Sequence, residues 1–82
     1  MIFFRQTILN QIKSATNEDD VEGIIGDSIQ RLKSKNVNGH IIQRYITGMQ
    51  MSLHRERIEK HSATTMKNMD FAINVFNKMQ QT

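Results

Sequence analysis

The longest well-patterned segment of the chain reads GHIIQRYITGMQMSL and runs from Gly39 to Leu53. Its large apolar residues recur at spacings of three and four, which places them on one face of an α-helix. We therefore predict a central amphipathic helix against which the rest of the chain packs. Tyr45 is predicted to lie on this face with its hydroxyl at the rim of the core. The predicted buried spine consists of Ile42, Ile46, Met49 and Leu53.

The segments on either side show the same helical spacing, and the chain has no proline to interrupt it. The fold class predicted from this pattern is all-α, a small antiparallel bundle of three or four helices. With 82 residues, the chain is predicted to form a single helical domain over residues 1–82. The last two helices are either separate or fused, because Ser62 can cap a new helix but nothing forbids a continuous one. The predicted helices cover residues 2–15, 18–35, 39–60 and 63–80.

The residues between these spans predict how the helices begin and end. Thr16 or Asn17 is expected to cap the second helix, whose first residues are acidic and suit the positive end of the helix dipole. The stretch Asn36–Gly39 is expected to close that helix, because asparagine and glycine tolerate the left-handed conformation. Gly23 and Gly26 indicate either a close approach between helices or a kink.

The sequence contains no pattern that a catalytic or cofactor site requires. The absence of cysteine excludes disulfides and cysteine-bound zinc. A Gly-rich phosphate loop and the Gly-x-Ser-x-Gly motif of a nucleophilic serine are also missing. His54 and His61 share a helical face, but the chain has neither His-x-x-x-His nor Glu-x-x-His. We therefore predict that the protein is not an enzyme and uses no metal or cofactor.

No apolar run in the sequence approaches the ~18 residues that a transmembrane helix needs. The apolar start at Met1–Phe4 is interrupted by Arg5 and Gln6, so it is shorter than the ~7–15-residue core of a signal peptide. A cytoplasmic protein without membrane contact is therefore expected.

The formal charge of +3 is unevenly distributed along the chain. Residues 17–27 carry five acids and no cation, whereas residues 31–60 carry seven Lys or Arg residues and two acids. This asymmetry indicates either an anionic partner or charges matched to helix dipoles on a solvated surface. The alternative function is therefore an accessory nucleic-acid-binding protein that uses the basic 31–60 segment. Its possible anion contacts, which lie at the wrong end of the central helix for a helix-turn-helix protein, are Arg55, Arg57 and Lys60.

The main functional prediction is a non-catalytic helical protein-interaction module that self-associates. A core of 82 residues without disulfides or metal is marginal, and oligomerisation would supplement it. Phe3, Met51 and Phe71 lie beside the apolar stripes and are the predicted interaction residues. A twofold homodimer would bury them by self-complementary contact. A different protein chain is the other partner considered.

Overall fold

The computed structural model describes the backbone of residues 2–80 and the side chains of residues 4–80. Within this range the chain forms four α-helices and no β-strand, which confirms the prediction of a small all-α bundle. The helices are α1 (Ile2–Ser14), α2 (Glu18–Ser34), α3 (Gly39–Glu56) and α4 (Ala63–Gln80).

The third helix ends at Glu56, so its predicted extension to residue 60 is wrong. After Leu53 the next apolar residue is Ile58, and this five-residue step carries Ile58 off the buried stripe and leaves it 86% exposed. The backbone then tightens into turns in which the amides of Ile58 and Glu59 bond to carbonyls three residues back, at 3.2 and 3.1 Å. The helix stops where its buried face stops.

The connection over residues 57–62 separates α3 from α4, so a continuous helix over both segments does not form. The Ser62 hydroxyl oxygen accepts a hydrogen bond from the Thr65 amide at 3.2 Å. This is the capping role that the sequence suggested for Ser62, and it satisfies one of the free amides at the start of α4.

Asparagine side chains cap α2 and α3. The Asn17 side chain accepts a hydrogen bond from the Asp20 amide at 2.9 Å, and the Asn38 side chain accepts one from the Ile41 amide at 3.1 Å. Thr16 is not the cap, but its hydroxyl and then its amide donate to the Asp20 carboxylate and lower the pKa of Asp20. Both helix starts are therefore fixed by local sequence.

Asn36 supplies the left-handed residue after α2, with a φ of 59°, and no glycine in the described range has a positive φ. Gly39 instead begins α3. A Cβ added to Gly23 or Gly26 would meet nothing within 4 Å. Neither glycine therefore permits a close helix approach, and α2 continues through both.

The first and last helices form the centre of the bundle. α1 and α4 each pack against all three other helices, whereas the backbones of α2 and α3 are close at few points and the two helices lie on opposite sides of that pair. The order around the bundle is therefore α1, α2, α4, α3. The loop from α2 to α3 must cross the end of the bundle, since it joins helices that are not neighbours.

The neighbours α1 and α3 run in the same direction, so the predicted antiparallel arrangement does not hold for this pair. Near their N-termini, the rings of Phe4 and Tyr45 have centroids 5.5 Å apart. Near their C-termini, the Lys13 ammonium lies 3.4 Å from the Glu56 carboxylate. This parallel register determines which outward residues of the two helices meet.

The core is one cluster to which all four helices contribute. Three of the four predicted spine residues of α3 are at most 3% exposed, whereas Ile42 is only half-buried. Each fully buried large apolar side chain stabilises the fold by ~1.5–3 kcal/mol. The buried apolar residues are Ile8, Leu9, Ile12, Ala15, Val21, Ile25, Ile29, Leu32, Tyr45, Ile46, Met49, Leu53, Met69, Ala72, Ile73 and Phe76.

Tyr45 is buried together with its hydroxyl, so the predicted position of that group at the rim is wrong. The hydroxyl donates a hydrogen bond to Ser28 Oγ at 2.7 Å, and Ser28 donates in turn to the Ile25 carbonyl at 2.7 Å. The ring meets Phe4 on one side and Phe76 edge-on at 6.1 Å on another. A polar partner from α2 therefore lets a polar atom of α3 lie inside the core.

Candidate interaction surface

Met51 projects from the outer surface of α3 and is 61% exposed. Around it lie Arg5 of α1 and Arg44, Gly48 and Arg55 of α3, which line adjoining grooves on this side of the bundle. We call these five residues the basic face. The four that belong to α3 recur at steps of four, three and four, so they form one stripe along the helix.

Arg5 reaches the basic face by crossing α3 at Gly48. The parallel register of α1 and α3 brings the Arg5 side chain across α3 at this glycine, where an added Cβ would collide with the guanidinium. The close approach expected at Gly23 or Gly26 is therefore found at Gly48, and it involves a side chain rather than two helix backbones.

The three arginines of the basic face have no ion-pair partner among residues 4–80. The ion pairs in that range join Lys13 to Glu56 and Arg57 to Asp70, and the His61 ring also approaches Glu56. Among residues 4–80, no acid lines the grooves around Met51. Within that range, three arginines without an ion-pair partner therefore surround one exposed apolar side chain, which suits an anionic surface that also offers apolar contact.

The three anion contacts predicted from the sequence are not equivalent. Arg55 lies on the basic face. Arg57 Nε instead lies 2.7 Å from Asp70 Oδ1 of α4, in an exposed ion pair of the kind that contributes ~0–1 kcal/mol. Lys60 is exposed in the connection after α3. Arg57 is thus already paired with an acid.

A second groove lies between α2 and α4, and we call it the α2/α4 groove. Glu22 and Gly26 line it from α2, and Phe71 and Val75 line it from α4. Phe71 is half-buried and packs against the core. The groove is open beside Gly26, because a Cβ there would meet no atom within 4 Å. Its other lining residues are Asn74, Lys78 and Met79.

The basic face and the α2/α4 groove lie on opposite sides of the bundle, because α1 and α3 form one side and α2 and α4 the other. Met51 and Phe71 therefore do not share a surface, and a single contact patch cannot contain both. The Phe3 side chain, the third predicted interaction residue, lies outside the described residues.

The residues best placed to hold a metal ion are Glu56, Glu59 and His61, whose ligand atoms lie within 4.8 Å of one another. The Glu56 carboxylate, however, already lies 3.4 Å from the Lys13 ammonium. His61 Nε2 lies 2.9 Å from the Glu56 carbonyl oxygen and so closes the C-terminus of α3. His54 is exposed and outside this cluster. These contacts give His61 a structural role as a helix cap.

The sequence pattern identifies Met51 and Arg55 as surface residues of interest but does not single out Arg5, Arg44 or Gly48. The spacing within α3 would have added Arg44 and Gly48, since both share the stripe of Met51. Arg5 has no such signal, because its position depends on how α1 packs against α3.

Within the described range, no helix combines the length and the apolar character that are needed to cross a membrane. No family model, no curated protein and no solved structure matches this chain.

Proposed function

We propose that this chain is a non-catalytic helical interaction module that self-associates in the cytoplasm. The observation that carries the proposal is Met51, which is 61% exposed at the centre of three unpaired arginines. Met51 and Ile58 are the exposed large hydrophobic residues of the described range. Methionine makes adaptable apolar contacts, and arginine is enriched at protein interfaces.

The pKa shifts in the described range support a non-catalytic role. The pKa of Asp20 is lowered by hydrogen bonds from Thr16 at the start of α2. The pKa of Tyr45 is raised to about 12 by burial, although the hydrogen bond with Ser28 acts in the opposite direction. Both groups are explained by a helix start and by core packing, and neither belongs to a constellation of reactive groups.

Self-association is tested by measuring mass in solution, by sedimentation and light scattering, from low micromolar to millimolar concentration. Assembly that favours the folded state should raise the melting temperature with concentration. Met51→Glu should weaken assembly, because it places a charge where apolar contact is required. Gln11→Glu is the control, since Gln11 is exposed and lines a groove between α1 and α2 rather than the basic face. A monomeric parent with a concentration-independent melt would overturn the proposal.

Nucleic-acid binding is the second candidate function, and the unpaired arginines of the basic face favour it. The anion contacts would be Arg5, Arg44 and Arg55, because Arg57 is paired with Asp70. Among residues 4–80, no aromatic side chain is exposed on the basic face to stack with bases, so binding by these residues would depend on phosphate contacts.

Fluorescence anisotropy with single- and double-stranded DNA tests this candidate. If it holds, neutralising the three arginines together should flatten the dependence of log K on log salt by roughly two to three units, at about 0.7–0.9 per lost phosphate contact. The double substitution Lys33→Gln, Lys35→Gln removes exposed cations from α2 and its C-terminal end and serves as the control. Absence of binding by the parent at low salt would eliminate the candidate.

A further inference from the structure

We infer that the basic face of one copy docks into the α2/α4 groove of a second copy, in a head-to-tail contact. This inference rests on the proposed self-association and specifies its geometry. The two surfaces lie on opposite sides of the bundle, so each copy offers one of each kind.

The two surfaces are complementary in shape. On the basic face, Met51 is an exposed, unbranched side chain on an otherwise polar surface. In the α2/α4 groove, Phe71 and Val75 provide half-buried apolar surface, and Gly26 leaves the space of a missing side chain beside them. An apolar side chain that projects from one copy can therefore occupy an apolar recess of the next.

The two surfaces are also complementary in charge. Glu22 lines the groove, and Glu18 lies one helical turn before it on the same side of α2, followed by Asp19. All three acids are exposed and have no ion-pair partner in the described part of the chain. Among the described residues, Lys78 lines the groove, and Lys67 lies one helical turn before Phe71 on the same side of α4. The three acids therefore outnumber these two cations, opposite the three arginines of the partner copy.

This arrangement predicts an assembly different from the twofold dimer. A contact between two unlike surfaces leaves one of each free at the ends, so it continues into chains or closes into a ring. Because charges on the surface contribute to it, high salt should dissociate the assembly. Sedimentation of the parent at low and high salt measures both properties without any substitution.

Two complementary variants test the contact directly. The face variant, Arg44→Gln with Arg55→Gln, retains an intact groove, whereas the groove variant, Glu18→Gln with Glu22→Gln, retains an intact face. Each variant alone should be monomeric at concentrations where the parent forms species larger than a dimer. An equimolar mixture should form a one-to-one complex that stops at two chains, because each partner contributes the single surface that the other lacks.

A third variant tests the recess without changing any charge. Gly26→Leu fills the open space of the groove and should abolish assembly of the parent chain. Gly23→Leu is its matched control, because Gly23 lies in the same helix, has nothing within 4 Å of its Cβ position and does not line the groove. Both changes replace glycine in a helix, so circular dichroism should show both variants folded and at least as stable as the parent.

The outcomes separate this inference from the proposal on which it rests. A parent that stays monomeric at every concentration overturns both. A parent that forms a closed dimer, or open assemblies that the Gly26→Leu variant still forms, overturns the head-to-tail contact and leaves self-association in place. A mixture of folded face and groove variants that remains monomeric also overturns the contact.

Discussion

Tyr45 couples the stability of the bundle to alkaline pH. Burial raises the pKa of its hydroxyl to about 12 in the folded chain, from an ordinary value of 10.0. The neutral phenol is therefore favoured by folding. Its contribution is fully present below pH 10.0 and is lost as the pH rises from there to about 12, where the unfolded chain ionises first.

Replacement of Tyr45 by phenylalanine should remove this pH dependence. The free energy of unfolding at neutral pH should fall by ~1 kcal/mol, because the hydrogen bond to Ser28 is lost while the ring remains packed. Between pH 10.0 and about 12, the parent should lose on the order of 2–3 kcal/mol more than the variant, at ~1.4 kcal/mol for each pH unit. Urea titrations of both chains at several pH values measure the difference. Parallel losses would contradict it.

Asn68 is a buried polar residue that contributes to stability through a hydrogen bond to one backbone carbonyl. It is 3% exposed, and its side-chain amide donates to the Ala15 carbonyl at 2.8 Å, just after α1. Asn68→Ala should lower the free energy of unfolding by ~1–3 kcal/mol, because the carbonyl is left buried without its partner. Asn74→Ala makes the same replacement at an exposed position of α4 and should change it by no more than about 0.5 kcal/mol. Chemical denaturation of both variants is the measurement, and equal midpoints would argue against a stabilising hydrogen bond from Asn68 to the Ala15 carbonyl.

These two residues show what helical periodicity can and cannot predict. The spacing of apolar residues predicts that the Tyr45 ring is buried, but its hydroxyl finds Ser28 through the packing of another helix. Asn68 lies among the apolar residues of α4, and nothing in the local pattern indicates that its partner is Ala15. A polar residue inside the core needs a hydrogen-bond partner that is distant in the sequence. The spacing of residues along the chain does not indicate which partner that is.

The stability of α3 depends on one face of the helix. Leu53 is fully buried, whereas Met51, two residues earlier on the same helix, is 61% exposed. Leu53→Ala should cost ~2–5 kcal/mol, because it removes buried methyl groups and leaves a cavity. Met51→Ala should cost less than about 0.5 kcal/mol in the monomer, because it removes no buried contact. Thermal and urea unfolding at low protein concentration measure both. Similar losses would mean that the buried face is assigned wrongly.

The limits of the helices are predictable where side chains decide them locally. Asn17, Asn38 and Ser62 each accept a bond from an amide three residues ahead, as capping residues do. The end of α3 is less predictable, because residues 57–60 are helix formers by propensity but bury no apolar side chain in the core. The loss of tertiary contact at Ile58 overrides their propensity.

The order of the helices around the bundle is the part of the fold that the sequence does not predict. The apolar stripes predict which side of each helix is buried but not which neighbour covers it. The placement of α2 opposite α3 follows from the combined packing of all four helices. For this reason Met51 and Phe71, both identified beside apolar stripes, were predicted to share one interface and are found on opposite sides.

The bonds that close α1 have a consequence for the order in which the protein can fold. The carbonyls of Lys13 and Ala15 accept hydrogen bonds from Thr65 and Asn68, more than fifty positions later in the chain. During synthesis α1 is therefore made first but completed last, when α4 becomes available. A fragment of residues 1–60 should lack the central helix pair and show little protection from hydrogen exchange, whereas the full chain should protect α1 and α4 together. Slow exchange in α1 of the fragment would contradict this dependence. The C-terminal end of α1 therefore acquires these hydrogen bonds only once α4 is in place.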